Sequence, residues 1–118
     1  MSNINIGEVR DDVRYVTPAQ AHEILEENPD IVVLDVRTGK EFQEDHIKGA
    51  VNMNYFSLNF KKHLKTLDSN KTYLLHCAVG GRSGKTIKTM KKLGINNIIH
   101  MDYGLNRWRE EALPLERS

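Results

Sequence analysis

At 118 residues the chain is long enough for one domain with an ordinary core and too short for two. Seventeen Lys and Arg against sixteen Asp and Glu leave a formal net charge of +1, so no basic excess exists to drive nucleic-acid binding. A single cysteine excludes any internal disulfide framework.

Residues 1–12 are polar and aperiodic and read as a short flexible arm, followed by a domain over 13–118. The opening Met1-Ser2-Asn3-Ile4-Asn5-Ile6 has neither a basic start nor an apolar run, so no leader is expected. Arg14-Tyr15-Val16 predicts a strand. Thr17, Pro18 and Gln20 then form an N-cap, a first-turn proline and a capping box, opening a helix with Ala21, Ile24 and Leu25 inward and Asn28-Pro29 as its stop. Ile31-Val32-Val33-Leu34 is an unbroken apolar run, the pattern of a strand covered on both faces. It leads into Asp35-Val36-Arg37, and a second capping box, Thr38 with Glu41, opens a short helix carrying Phe42.

Ala50-Val51-Asn52-Met53 predicts a brief strand, and Phe56, Phe60 and Leu64 recur at helical spacing. The next strand, Thr72-Tyr73-Leu74-Leu75-His76, runs into Cys77 and the loop Ala78-Val79-Gly80-Gly81-Arg82-Ser83. A helix from about Ser83 to Leu93 follows, with Ile87 and Met90 inward and Gly94 as its stop. Its Lys85, Lys88, Lys91 and Lys92 read as a solvated face in preference to a docking patch for an acidic partner. Asn97–Met101 is the last strand, and Leu105, Trp108 and Ala112 mark a closing helix that ends before Pro114. Strands alternating with helices predict an α/β domain, a mainly parallel sheet between helices with ligands at the strands' C-terminal ends. Cys77, Asp35 and Arg37 all fall at such ends.

A thiol at a strand end, followed by glycines and a helix start, faces a concavity of backbone N–H groups and the positive end of a helix dipole. Both favour the thiolate, which is the nucleophilic form. Three motifs compete for this segment. Gly84-Lys85-Thr86 imitates the end of a phosphate-binding P-loop, but the required opening glycine is Val79. The cysteine-phosphatase pattern His-Cys-x-x-Gly-x-x-Arg-Ser/Thr is one residue longer between cysteine and arginine than Cys77–Arg82, so its cradle for a phosphoryl group would be roomier. The third, Cys-x-x-Gly-x-Arg-Ser, fits residue for residue.

Through that third motif the chain resembles single-domain rhodanese-like sulfurtransferases, from about Tyr15 to Pro114. The likeness includes Val33-Leu34-Asp35-Val36-Arg37, Glu41-Phe42 leading into His46-Ile47-Lys48-Gly49-Ala50-Val51-Asn52, the Cys77 loop, Gly104 and Trp108. Asp45, Lys48 and Tyr103 depart from the usual Gly, Pro and Gly at turn positions. The resemblance implies a three-layer α/β/α fold around a mainly parallel five-stranded sheet. It also implies transfer of a sulfane sulfur through a Cys77 persulfide, from a small-molecule donor to cyanide or a thiol acceptor, with an acceptor protein as a further partner.

In that reading Ala78, Val79, Gly80, Gly81, Arg82 and Ser83 surround the transferred sulfur. Arg82 either fixes the loop or contacts an anionic donor, the first being preferred. Asp35, Arg37 and His76 support the site from behind. His22, His63 and His100 have no ligand spacing, so neither a metal nor another cofactor is expected. A free thiol suits a reducing compartment, so a cytoplasmic monomer without nucleic-acid or membrane partners is expected. Two alternatives stand beside this: a phosphatase or arsenate-reductase-like enzyme on the same fold, and a non-catalytic rhodanese-like binding module.

Overall fold

The computed structural model describes residues 4–117. Six strands, β1 (Glu8–Arg10), β2 (Val13–Tyr15), β3 (Val32–Asp35), β4 (Val51–Asn52), β5 (Tyr73–His76) and β6 (Ile98–His100), form one sheet in the order β1-β2-β6-β5-β3-β4. Five helices join them: α1 (Pro18–Glu27), α2 (Gly39–Glu44), α3 (Phe60–Leu64), α4 (Gly81–Lys92) and α5 (Gly104–Glu110). Every pairing is parallel except β1 with β2.

The sheet has six strands where the sequence predicts five. The extra one, β1, lies within the stretch read as a flexible arm, so residues 8–10 are a paired edge strand. Its side chains are exposed throughout and it spans only three residues, so no apolar periodicity announces it. Residues 1–3 of the expected arm, and Ser118 at the end of the domain, lie outside the described residues.

Alternation along the central strands builds two cores. Leu34, Tyr73, Leu75 and Ile98 point to one face, where α3 supplies Phe60 and Leu64 and α4 supplies Ile87 and Met90. Val33, Leu74 and Ile99 point to the other, where α1 supplies Ala21 and Ile24 and α5 supplies Leu105 and Trp108. That is a three-layer α/β/α arrangement, with the central strands buried on both sides.

Both predicted capping boxes are present, at Thr17 with Gln20 and at Thr38 with Glu41. Phe56 departs from its predicted helix: it sits in a turn before α3 and is 66% exposed. The central strands all run the same way, so β3 and β5 deliver Asp35, His76 and Cys77 to one end of the sheet.

Candidate active site

Cys77 follows β5 directly and is fully buried. Period-two alternation places it on the face of Leu75, beneath α4. The chain turns through Ala78, Val79 and Gly80 and enters α4 at Gly81, so the loop closes over the sulfur within four residues. Sγ accepts hydrogen bonds from the Gly80 N–H at 3.1 Å, the Ser83 N–H at 3.4 Å and the Ser83 hydroxyl at 3.3 Å. Burial opposes ionisation of the thiol, but the Ser83 hydroxyl and the Ser83, Gly80 and Val79 amides outweigh it, and the Cys77 pKa lies below its ordinary value.

Only one of the two loop glycines is conformationally required. Gly80 adopts φ +101°, and a Cβ there would lie 2.1 Å from the Asp102 carbonyl oxygen. A Cβ on Gly81 would meet no atom within 4 Å, and this residue begins the helix in ordinary backbone geometry. The loop is also fastened from α5. The Leu105 and Asn106 N–H groups donate to the carbonyls of Cys77 and Ala78 at 2.9 and 3.0 Å. Gly104, at φ +75°, is required there because a Cβ would meet the Ala78 carbonyl at 2.2 Å. Tyr103 takes an ordinary helical φ of −71°, so this position needs no glycine.

The Arg82 guanidinium is engaged by Glu41, with Nη1 donating to Oε1 at 2.7 Å and Nη2 to Oε2 at 3.1 Å. The Arg82 hydrogen bond, set against partial burial, lowers the Glu41 pKa to about 2. Glu41 Oε1 also accepts from the N–H and hydroxyl of Thr38, both at 3.0 Å, so the helix cap of α2 and the loop arginine share one carboxylate. Arg82 lies 5.7 Å from the centre of the exposed Phe56 ring.

Asp35 and Arg37 form a buried ion pair behind the loop. Arg37 Nη2 donates to Asp35 Oδ2 at 2.8 Å, its Nε donates to Oδ1 at 3.0 Å, and Nη2 also reaches the Asp45 carbonyl at 2.6 Å. Asn52, to which the sequence assigns no role, donates through Nδ2 to the carbonyls of Asp35 and Arg37 at 3.0 and 2.9 Å. His76 is wholly buried, with Nδ1 3.1 Å from the Cys77 carbonyl and Nε2 3.6 Å from Asp35 Oδ2. Burial pushes its pKa down against the pull of Asp35, so the ring that backs the loop is neutral.

His100, at the end of β6, is a site residue that sequence reasoning missed. Its Nε2 lies 2.7 Å from Ser83 Oγ across a separation of 17 residues, a contact no local spacing announces. The remaining loop positions lie at the mouth: Val79 is 67% exposed, Ala78 is half-buried and Gly81 is exposed. A polar hollow of about 570 Å³ lies between α2 and α5, lined by Arg37, Glu41, Asn106 and Arg109 among others. Among the described residues no group of three or more His, Cys, Asp or Glu side chains is placed to share a metal ion, and no helix is long and apolar enough to cross a membrane.

The Rhodanese-like domain family model matches residues 17–111. Among curated relatives, a probable adenylyltransferase/sulfurtransferase MoeZ of Mycobacterium tuberculosis is 27% identical over 99 residues, covering 84% of this chain and 25% of that protein. A tRNA uridine(34) hydroxylase of Teredinibacter turnerae is 31% identical over 102 residues, covering 83% of this chain and 32% of that protein. The chain thus spans a quarter to a third of the length of these two relatives. Among solved structures, a rhodanese-related protein from Thermoplasma volcanium superposes with a TM-score of 0.78 at 28% identity, covering 89% of this chain and 99% of that one.

Proposed function

The chain belongs to the rhodanese-like domain family, and on that premise we propose that it is a sulfurtransferase in which Cys77 carries the sulfur. The observation that carries the reading is the Cys77 sulfur receiving two backbone N–H groups and one hydroxyl in a buried loop, with its pKa held below the ordinary value. Those donors suit an anion of one sulfur atom or two, and the same groups stabilise the thiolate before transfer and the persulfide after it.

The reaction runs in two half-steps. The Cys77 thiolate attacks the outer sulfur of the donor, the new S–S bond forms, and the bond to the rest of the donor breaks. Sulfite departs with its electron pair if the donor is thiosulfate, and a thiolate departs if the donor is a persulfide. Cys77 is left as Cys–S–S⁻. An acceptor nucleophile then attacks the outer sulfur and Cys77 leaves as thiolate, so no net redox change and no proton are needed. Ping-pong kinetics follow from the covalent intermediate. With no second cysteine in the chain, the sulfur has to leave to an external acceptor.

Donor preference follows from the charges at the loop. Arg82 is neutralised by Glu41, and Ala78 and Val79 add no charge, so little beyond loop dipoles attracts a dianion. Thiosulfate is therefore a poor donor and an organic persulfide such as glutathione persulfide a better one. The sulfurtransferase-named relatives, in which this domain is a fraction of a longer chain, are consistent with a protein acceptor.

The test is intact mass spectrometry after exposure to thiosulfate or a persulfide, on the wild type and Cys77→Ser. The wild type gains one sulfur atom, loses it to cyanide, and the variant never gains it. A wild-type protein that stays unmodified by both donors would overturn the reading, and hydrolysis of an aryl phosphate would favour the phosphatase alternative instead.

A further inference from the structure

The Ser83 hydroxyl is the side-chain donor to Cys77, and it has one proton to give. Three acceptors compete for that proton: Cys77 Sγ at 3.3 Å, the Gly80 carbonyl at 3.3 Å and His100 Nε2 at 2.7 Å. The shortest contact decides the matter, because its direction depends on which ring nitrogen carries hydrogen. With the proton on Nδ1, Nε2 accepts from Ser83 and the hydroxyl is turned away from the sulfur. With the proton on Nε2, the ring donates to Oγ and the hydroxyl proton is released toward Sγ or the Gly80 carbonyl. Between those two acceptors an anionic sulfur wins, since charge-assisted hydrogen bonds are the stronger kind.

Burial selects between the tautomers. His100 is 2% exposed, and its Nδ1 is a buried atom with no hydrogen-bond partner among the described residues. A stranded N–H is rarer in folded proteins than an under-satisfied acceptor, so the bare nitrogen is the one without hydrogen. The ring is held edge-on by Tyr15 with centroids 5.3 Å apart. Burial, opposed by Asp102 and aided by His76 and Arg10, lowers its pKa to about 4, so the ring is neutral at pH 7. We propose that His100, as the neutral tautomer protonated on Nε2, is a positioning residue that aims the Ser83 hydroxyl at Cys77 Sγ and so raises the thiolate fraction of the nucleophile. The proposal rests on Cys77 being the nucleophile of the preceding section, but it concerns ionisation of the thiol and is read without any sulfur transfer.

The test is the rate of alkylation of Cys77 by iodoacetamide between pH 6 and 9 in the full chain. His100→Leu removes the donor that polarises the hydroxyl but leaves the hydroxyl its own bond to the sulfur, so alkylation at pH 7 slows about twofold, the strengthening one hydrogen bond lends the next in a chain. His100→Gln, whose amide can donate from a similar position, restores most of the rate. In a Ser83→Ala background His100→Leu has no further effect, because the path through the hydroxyl is already cut. Unchanged alkylation in His100→Leu would overturn the proposal, as would an equal slowing in the Ser83→Ala background or no recovery in His100→Gln. If His100→Leu does not fold, nitrogen-15 shifts of the unmutated protein decide: hydrogen on Nε2 supports the proposal and hydrogen on Nδ1 ends it. Sulfur loading is scored separately, so a wild type with fast alkylation and no sulfur uptake would sink the sulfurtransferase reading and leave this one standing.

Discussion

Replacing each loop glycine by alanine in turn separates geometry from composition at the site. Gly80 sits at φ +101°, where a side chain costs roughly 1–2 kcal/mol, and its Cβ would lie 2.1 Å from the backbone oxygen of Asp102. No rotamer moves a Cβ off a backbone oxygen, so the loop has to move away from the turn between β6 and α5 that carries Asp102. The combined penalty is about 3 kcal/mol, which lowers the melting temperature of a domain of this size by roughly 10 °C. It also displaces the Gly80 N–H from its 3.1 Å contact with Sγ, so alkylation of Cys77 slows by roughly tenfold. Gly81 is exposed and its Cβ would meet nothing within 4 Å, so Gly81→Ala leaves stability within about 1 kcal/mol of the wild type or raises it slightly through helix propensity. Circular dichroism melts and iodoacetamide kinetics on the two variants read both quantities. Similar behaviour of the two variants, or a Gly80→Ala protein within 2 °C of the wild-type melt (a margin of about 0.5 kcal/mol), would refute the idea that a close backbone approach shapes the loop.

Arg37→Met leaves Asp35 buried without its cation and costs about 3–5 kcal/mol in urea unfolding; a loss under about 1 kcal/mol would mean the pair is incidental. Acid stability has two separable steps. His100, neutral when folded, binds protons more readily once unfolded, so its contribution is complete above about 6.5 and is lost as pH falls toward about 4. Glu41 holds a folded pKa of about 2 against 4.5, so its contribution, about 1 kcal/mol after screening, is complete above 4.5 and is lost as pH falls toward about 2. Unfolding free energies against pH for His100→Gln and Glu41→Gln should become shallower only in the upper and only in the lower window respectively, with buried His76 keeping part of the upper slope and Asp45 part of the lower, and a variant whose own window keeps its full slope contradicts the assignment. Val79→Lys puts a cation at the exposed mouth of the loop and should raise thiosulfate turnover severalfold relative to persulfide turnover; an unchanged ratio would show that charge there does not set donor preference.

The fold was largely legible because its signals are local. The two capping boxes, the unbroken apolar runs of β3 and β5, and the stop at Asn28-Pro29 each lie within a few consecutive residues. The part that was not legible depends on contacts far apart in sequence. Strand β1 is held by hydrogen bonding to β2 and carries no buried residue, so its pattern resembles a polar arm. Phe56 has the spacing of a helix with Phe60 and Leu64, yet the helix begins only at Phe60, and Asn54 and Ser57 turn the chain before it by accepting the N–H groups of Phe56 and Asn59. At the site, Cys77 and its loop could be read from spacing, whereas His100 could not.

Glu41 shows how a local signal can carry a distant consequence. Read in sequence, it completes a capping box, a device that satisfies orphan N–H groups at a helix start. Folded, its carboxylate still does that for Thr38, but it also binds both terminal nitrogens of Arg82 from 41 residues away. The exit of β3 is thereby tied to the exit of β5: Asp35 anchors Arg37, Thr38 begins α2, and α2 holds the arginine that closes the cysteine loop. A guanidinium committed in this way stiffens the loop and has little net charge left for a donor. In the sulfurtransferase proposed above, the same carboxylate that makes α2 a well-capped helix works against small dianionic donors, so that proposal makes residue 41 as much a part of donor choice as the loop itself.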